Sequence, residues 1–157
     1  CSLISLYVGG GFSGILFVRS ISFGMAIFVF IVIWGTDSFA YLAGRQFGKH
    51  KLAPDISPNK TIEGSIGGVL GSVLLGLLVV PFYNPVQFSV FEFVLLMVCL
   101  SIFGQLGDLV ESEYKRQFNV KDSGNLFPGH GGVLDRFDST FFAMLMFQIV
   151  FKFFGDI

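Results

Sequence analysis

A chain of 157 residues that is 53% hydrophobic, 17% aromatic and only 13% charged, with a mean hydropathy of +0.74, is too apolar for an ordinary soluble domain and belongs in a bilayer. Its formal net charge of −1 mixes both signs, which excludes the concentrated basic face that a nucleic-acid partner needs. Cys1 and Cys99 in apolar surroundings, with only His50 and His130 as imidazoles, exclude a disulfide framework and a His/Cys metal cluster.

In chain order, the apolar stretch Leu3–Val18 comes first, broken by Gly9–Gly11 and Gly14, and reads as a span, a re-entrant element or the end of a helix. Crossing a bilayer takes about 20 mostly apolar residues. Ile21–Leu42, Ile62–Phe82, Phe88–Leu106 and Phe137–Phe154 meet that requirement. The expected fold is all-α, a polytopic transmembrane helix bundle with a charged cytoplasmic catalytic loop region. Arg45, Lys49, Lys51 and Lys60 fall after the first strong span, and Lys115, Arg116, Lys121 and Arg136 before the last. Two spans separate these loops, so both emerge on one face, and the excess of cations predicts that it is cytoplasmic. The connection Tyr83–Gln87 is short and uncharged, as a tight external turn would be. Cys1 leads straight into apolar sequence without a signal-peptide pattern, so the expectation is a single membrane-embedded domain, residues 1–157, from the C-terminal part of a longer chain.

Gly64, Gly68, Ser72 and Gly76 recur at every fourth position, a small-residue stripe that lets another helix approach closely. It predicts tight packing within the bundle, with a homodimer seam as the alternative use. Two motifs mislead. Gly9–Gly14 satisfies G-x-G-x-x-G but lacks a strand–turn–helix context, and Gly44–His50 is one residue short of a P-loop and lacks its Ser/Thr.

The informative residues are charged. Asp37, in Trp34-Gly-Thr-Asp37, lies at the inner end of a span, where an ionised carboxylate needs a partner, a solvent path or a function; Arg45 is its alternative structural partner. Lys60 and Glu63 follow turn chemistry at Ser57-Pro58-Asn59. Lys60 can hold a phosphate or extend toward lipid headgroups, and Glu63 can be a helix-start carboxylate. Gly107–Ser139 then concentrates nearly half of all charged residues. Asp108, Glu111, Ser112 and Lys115 share one helical face, and Asp135 and Asp138 share another at the start of the last span. Hard oxygen donors of this kind suit Mg²⁺ held by one or two carboxylates plus substrate phosphates. Pro128-Gly-His130-Gly131-Gly132 offers open backbone amides for an anion, or simply a tight turn, and Lys115, Arg116, Lys121 and Arg136 supply charge for a polyphosphate.

The ordered set Ser112-x-x-Lys115-Arg116, Lys121-Asp122, Pro128-Gly-His-Gly-Gly132 and Asp135-Arg136-x-Asp138, within a signature region 104–139, closely resembles the signature of the phosphatidate cytidylyltransferases. Asp37-x-x-Ala40-Tyr41-x-x-Gly44-Arg45 and Ser57-Pro58-x-Lys60-Thr61-x-Glu63-Gly64 resemble that family's earlier blocks, so the likeness covers roughly residues 34 to 157. The resemblance implies transfer of a cytidylyl group from CTP to phosphatidic acid at the cytoplasmic surface of a bacterial inner membrane, with Mg²⁺ as cofactor, as one ion or two. It implies catalytic roles for Asp108, Asp135, Lys121 and Asp138, and makes Asp108, Asp135 and Asp138 the metal ligands. Substrate binding falls to Asp37, Lys60, Ser112, Lys115, Arg116, His130, Gly131, Gly132 and Arg136. Family members carry further N-terminal spans that this sequence lacks. Rival readings are a CTP-dependent polyprenol or phytol kinase and a cation transporter lined by Asp37, Asp108 and Asp135.

Overall fold

The structure, a computed structural model, describes residues 2–79, 89–118, 120 and 134–155, with side chains at 7–79, 89–118, 120 and 137–151. Among them are helices α1 (Ser2–Ile21), α2 (Phe23–Phe47), α3 (Ile62–Val79), α4 (Val90–Gln117) and α5 (Leu134–Gly155), with a hairpin of β1 (Lys51–Ala53) and β2 (Ser57–Thr61) between α2 and α3. The helix bundle expected from composition is therefore present. Among the described residues, three helices, α2, α3 and α4, are long and apolar enough to cross a membrane, and Phe137–Phe151 within α5 is a shorter apolar run. The expected first strong span starts later than Ile21, because that residue closes α1 and Ser22 breaks the helix with extended backbone, φ −166° and ψ 143°. Leu3–Val18 lies within the continuous helix α1, packed on α5.

Helix α4 begins with a reciprocal cap, in which Glu92 N donates to Ser89 Oγ at 3.3 Å and Ser89 N to Glu92 Oε2 at 2.7 Å. It runs for 28 residues. At ~1.5 Å per residue that is about 42 Å, longer than the ~30 Å of a hydrocarbon core, so its last turns stand clear of the apolar layer.

The core sits between α2, α4 and α5, where Met25, Phe28, Val29, Val32 and Ile33 meet Phe93, Met97 and Leu100 and, from α5, Met144 and Phe147. Phe28 and Phe93 pack edge to face with centroids 5.3 Å apart. Helix α3 joins through its stripe of small residues. A Cβ on Gly68 would lie 2.9 Å from both Ala40 Cβ and the Thr36 carbonyl, and Gly76 faces Met97. The stripe is filled by α2 and α4 of the same chain, the tight internal packing that its spacing predicts. The Gly9–Gly14 run has a similar explanation, since Gly11 and Gly14 abut Phe141 and Met144 of α5.

One expectation needs correction. Ser57-Pro58-Asn59 is not the turn: it opens β2, paired antiparallel as Lys51↔Thr61 and Ala53↔Ser57, and the chain reverses just before it, with Ile56 N donating to Ala53 O at 3.3 Å. Both strands are edge strands, and Pro58 sits at the second position of β2, the setting in which a sheet tolerates proline.

Candidate active site

The last turns of α2 and α4, the first turns of α5, and the hairpin meet at one end of the bundle. Thr36 Oγ1 donates to Val32 O and lies 2.9 Å from Ser101 Oγ, a buried polar link between α2 and α4 beside Asp37. One step further along α4, Gly107 presses against α5: a Cβ there would sit 2.6 Å from Phe142 Cβ and 3.0 Å from the Asp138 carbonyl oxygen. Only glycine permits that approach, and it sets Asp108 beside the start of α5. Asp138 is buried, with its Oδ1 accepting from Ser139 N at 2.6 Å, and its backbone carbonyl accepts from the Tyr7 hydroxyl of α1 at 2.5 Å.

Cations reach these carboxylates from two directions. Lys60 Nζ of β2 lies 2.5 Å from Asp108 Oδ2, while the Ser112 hydroxyl donates to Asp108 Oδ1 at 3.3 Å. Lys115 pairs with the buried Glu111 one turn back on α4 at 2.7 Å. Arg116, expected to bind phosphate, turns its Nε to the Ile56 carbonyl at the hairpin tip, 3.2 Å away, and so ties the hairpin to α4.

Sequence reasoning missed the hairpin's second fastening. Glu63, in the first turn of α3, accepts from Lys49 N at 3.1 Å and His50 N at 3.2 Å, and its Oε1 lies 2.6 Å from His50 Nδ1. Ile62 N donates to His50 O at 3.0 Å, closing the same base. The available signal was a carboxylate immediately after a cationic strand; its partners are thirteen and fourteen residues back, so no local pattern exposes them.

Two cavities open at this end. One, of about 370 Å³, lies among α2, the hairpin, α3 and α4, with Tyr41, Arg45, Asn59, Lys60 and Gln105 on its walls. The other, of about 600 Å³, lies among α2, α4 and α5, bordered by Trp34, Lys115, Phe137 and Asp138. Asp37 and Asp108 border both. The structure thus brings together Asp37, Lys60, Asp108, Ser112, Lys115 and Asp138. Asp135 and Arg136 open α5, but their side chains lie outside those described, as do Lys121, His130, Gly131 and Gly132 altogether.

No three acidic, imidazole or thiol side chains among the described residues stand close enough to cage a metal ion. The donor chemistry nevertheless fits Mg²⁺, which retains water and takes one or two carboxylates plus phosphate oxygens. Asp108 and Asp138 are carboxylates of that kind, adjacent across the α4–α5 contact.

Fold and site together define an integral membrane protein with a charged, two-cavity pocket at one end of its helix bundle. The sequence profile described as the Cytidylyltransferase family matches residues 1–154, and the chain belongs to that family. It is 49% identical over 150 residues to the phosphatidate cytidylyltransferase of Staphylococcus epidermidis, 48% identical over 150 residues to that of Staphylococcus haemolyticus, and 49% identical over 152 residues to that of Staphylococcus aureus. Each match takes in 96% of this chain and 57% of the relative, so the chain spans a little over half the length of these proteins.

Proposed function

We propose that residues 1–157 form a membrane-embedded catalytic domain of a phosphatidate cytidylyltransferase, acting at the cytoplasmic face of a bacterial inner membrane. The observation that carries this reading is the shared wall: Asp37 and Asp108 border a cavity containing Lys60 and Arg45 and a second containing Lys115, Trp34 and Phe137. The first is suited to a nucleoside triphosphate. The second, with its aromatic sides, is suited to a phosphorylated lipid headgroup.

In the reaction, a phosphate oxygen of phosphatidic acid bonds to the α-phosphorus of CTP, the bond from that phosphorus to the oxygen bridging to the β-phosphate breaks, and pyrophosphate leaves with the electron pair. The attacking oxygen is already anionic at neutral pH, so no residue must remove a proton. The task is to hold two polyanions together and balance charge that grows on the leaving group. Lys60 and Lys115 supply positive charge on either side, and Ser112 orients Asp108. A Mg²⁺ ion held by Asp108 and Asp138, with Asp135 at the head of α5, would add electrostatic stabilisation of the phosphates. Lys121, Arg136, His130, Gly131 and Gly132 are assigned to the triphosphate and pyrophosphate from the motif.

Membranes containing the protein, supplied with labelled CTP and phosphatidic acid, are expected to form labelled CDP-diacylglycerol. A phosphorylated polyprenol or phytol in place of that product would mark a lipid kinase. Retained CTP turnover with reduced ion flux in Asp135→Asn would mark a transporter.

A further inference from the structure

Lys60 and Asp108 arrive on different elements, β2 and α4, and meet at 2.5 Å. Both oxygens of Asp108 are engaged, Oδ2 by Lys60 and Oδ1 by the Ser112 hydroxyl. An ammonium carries three N–H donors, yet Lys60 Nζ, with almost no water-accessible surface, has no hydrogen-bond partner among the described residues beyond that carboxylate. An arriving phosphate therefore finds its cation held by a carboxylate, and an arriving divalent cation finds its carboxylate held by an ammonium. Either ligand alone breaks the pair and leaves one charge uncompensated in a partly buried place, which opposes binding. The two together replace one ion pair by two.

We propose that the Lys60–Asp108 ion pair couples the two ligands of this pocket: a phosphate anion on Lys60 and a divalent cation on Asp108 each release the partner that the other needs, so each tightens the other's binding. The inference rests on the proposed reading of the same site. Linkage makes the tightening reciprocal. Other cations nearby do not share the role. Arg45 borders the same cavity but makes no ion pair among the described residues, and Lys115 pairs with Glu111, which stands beside Asp138 and is not one of the two carboxylates bordering both cavities.

The test measures binding rather than turnover, on the whole chain in lipid nanodiscs. With Mn²⁺ alone, followed by its electron paramagnetic resonance signal, Lys60→Met is expected to bind the ion about tenfold more tightly than the unaltered protein, within the usual span of coupling between sites. Arg45→Met, which removes a cation from the same cavity, is expected to shift it less than about threefold, as a charge acting through solvent does. With inorganic pyrophosphate in excess EDTA, followed by calorimetry, Asp108→Asn is expected to bind about tenfold more tightly than the unaltered protein. Should either substitution fail to give a helical, monodisperse protein, Lys60→Gln or Asp108→Ser takes its place. The coupling is overturned if the Lys60 variant binds Mn²⁺ no better than the Arg45 variant, or if freeing Lys60 leaves pyrophosphate binding unchanged or weaker. Both shifts without any CDP-lipid from CTP and phosphatidic acid would uphold the coupling and remove the cytidylyltransferase reading; CDP-lipid with neither shift would do the reverse.

Discussion

The apolar part of the bundle and its charged end are built from the same three helices but by opposite rules. On α2, the buried face of Met25, Phe28, Val29, Val32 and Ile33 is apolar, and Thr36 and Asp37 follow within a turn; on α4, Leu100 gives way to Ser101 and, two turns on, to Asp108; on α5 the order reverses, with Asp138, Ser139 and Thr140 preceding Ala143 and Met144. The apolar part gains from dense contact between large side chains and glycines, and its job is rigidity. The charged end carries buried Glu111 and Asp138, which burial alone would penalise. The difference teaches that packing in the membrane holds carboxylates at positions they would not choose for themselves.

The largest expected effect breaks the charged end alone. Asp108→Asn and Asp138→Asn keep shape but remove charge, and each is expected to cut CDP-lipid formation by ~10²–10³-fold while helical content and thermal unfolding stay near those of the unaltered protein. Chelation with EDTA is expected to abolish activity, with Mg²⁺ restoring it; full activity in EDTA would remove the metal from the scheme.

Next comes damage to the apolar part. Gly68→Val forces a side chain against Ala40 and the Thr36 carbonyl. The expected cost is about 1–3 kcal/mol of stability, read from thermal or denaturant unfolding in micelles. An unchanged midpoint would show that α2 and α3 are not held by this contact.

Smaller still is release of the hairpin. Arg116→Met removes its tie to Ile56. A rise of about fivefold in KM for CTP with little change in kcat is expected, matching the ~1 kcal/mol of one hydrogen bond. A fall in kcat at constant KM would instead put Arg116 on the reacting phosphates. The smallest effect belongs to the boundary between the two parts: Thr36→Val deletes the link to Ser101, and a loss of ~0.6 kcal/mol in stability with activity retained is expected.

The membrane helices and the run of α4 past Leu106 were legible because hydropathy and the three- and four-residue recurrence of Asp108, Glu111, Ser112 and Lys115 are local patterns. The proximity of Asp37 and Lys60 to Asp108 was legible only through the family resemblance. What escaped were pairings between distant residues: the β1–β2 ladder, the Glu63 clasp on Lys49 and His50, the Arg116 tie to Ile56 and the Tyr7 contact with Asp138. Ser-Pro-Asn carries turn chemistry in isolation, and only the partner strand makes it extended. Glu63 does stand in the first turn of α3, as its position after the strand implied, and its further partners Lys49 and His50 escaped because they lie beyond any helical spacing.

The contact at Gly107 sets a limit on how this sequence can vary. Because α4 meets α5 there with no side chain between them, the orientation of Asp108 depends on how many residues precede it as much as on its own identity. Adding or deleting one residue between Phe93 and Gly107 would swing the carboxylate by about 100° around the helix axis and away from Lys60. Drift by substitution is open to the apolar stretch of α4, whereas a change in its length is closed.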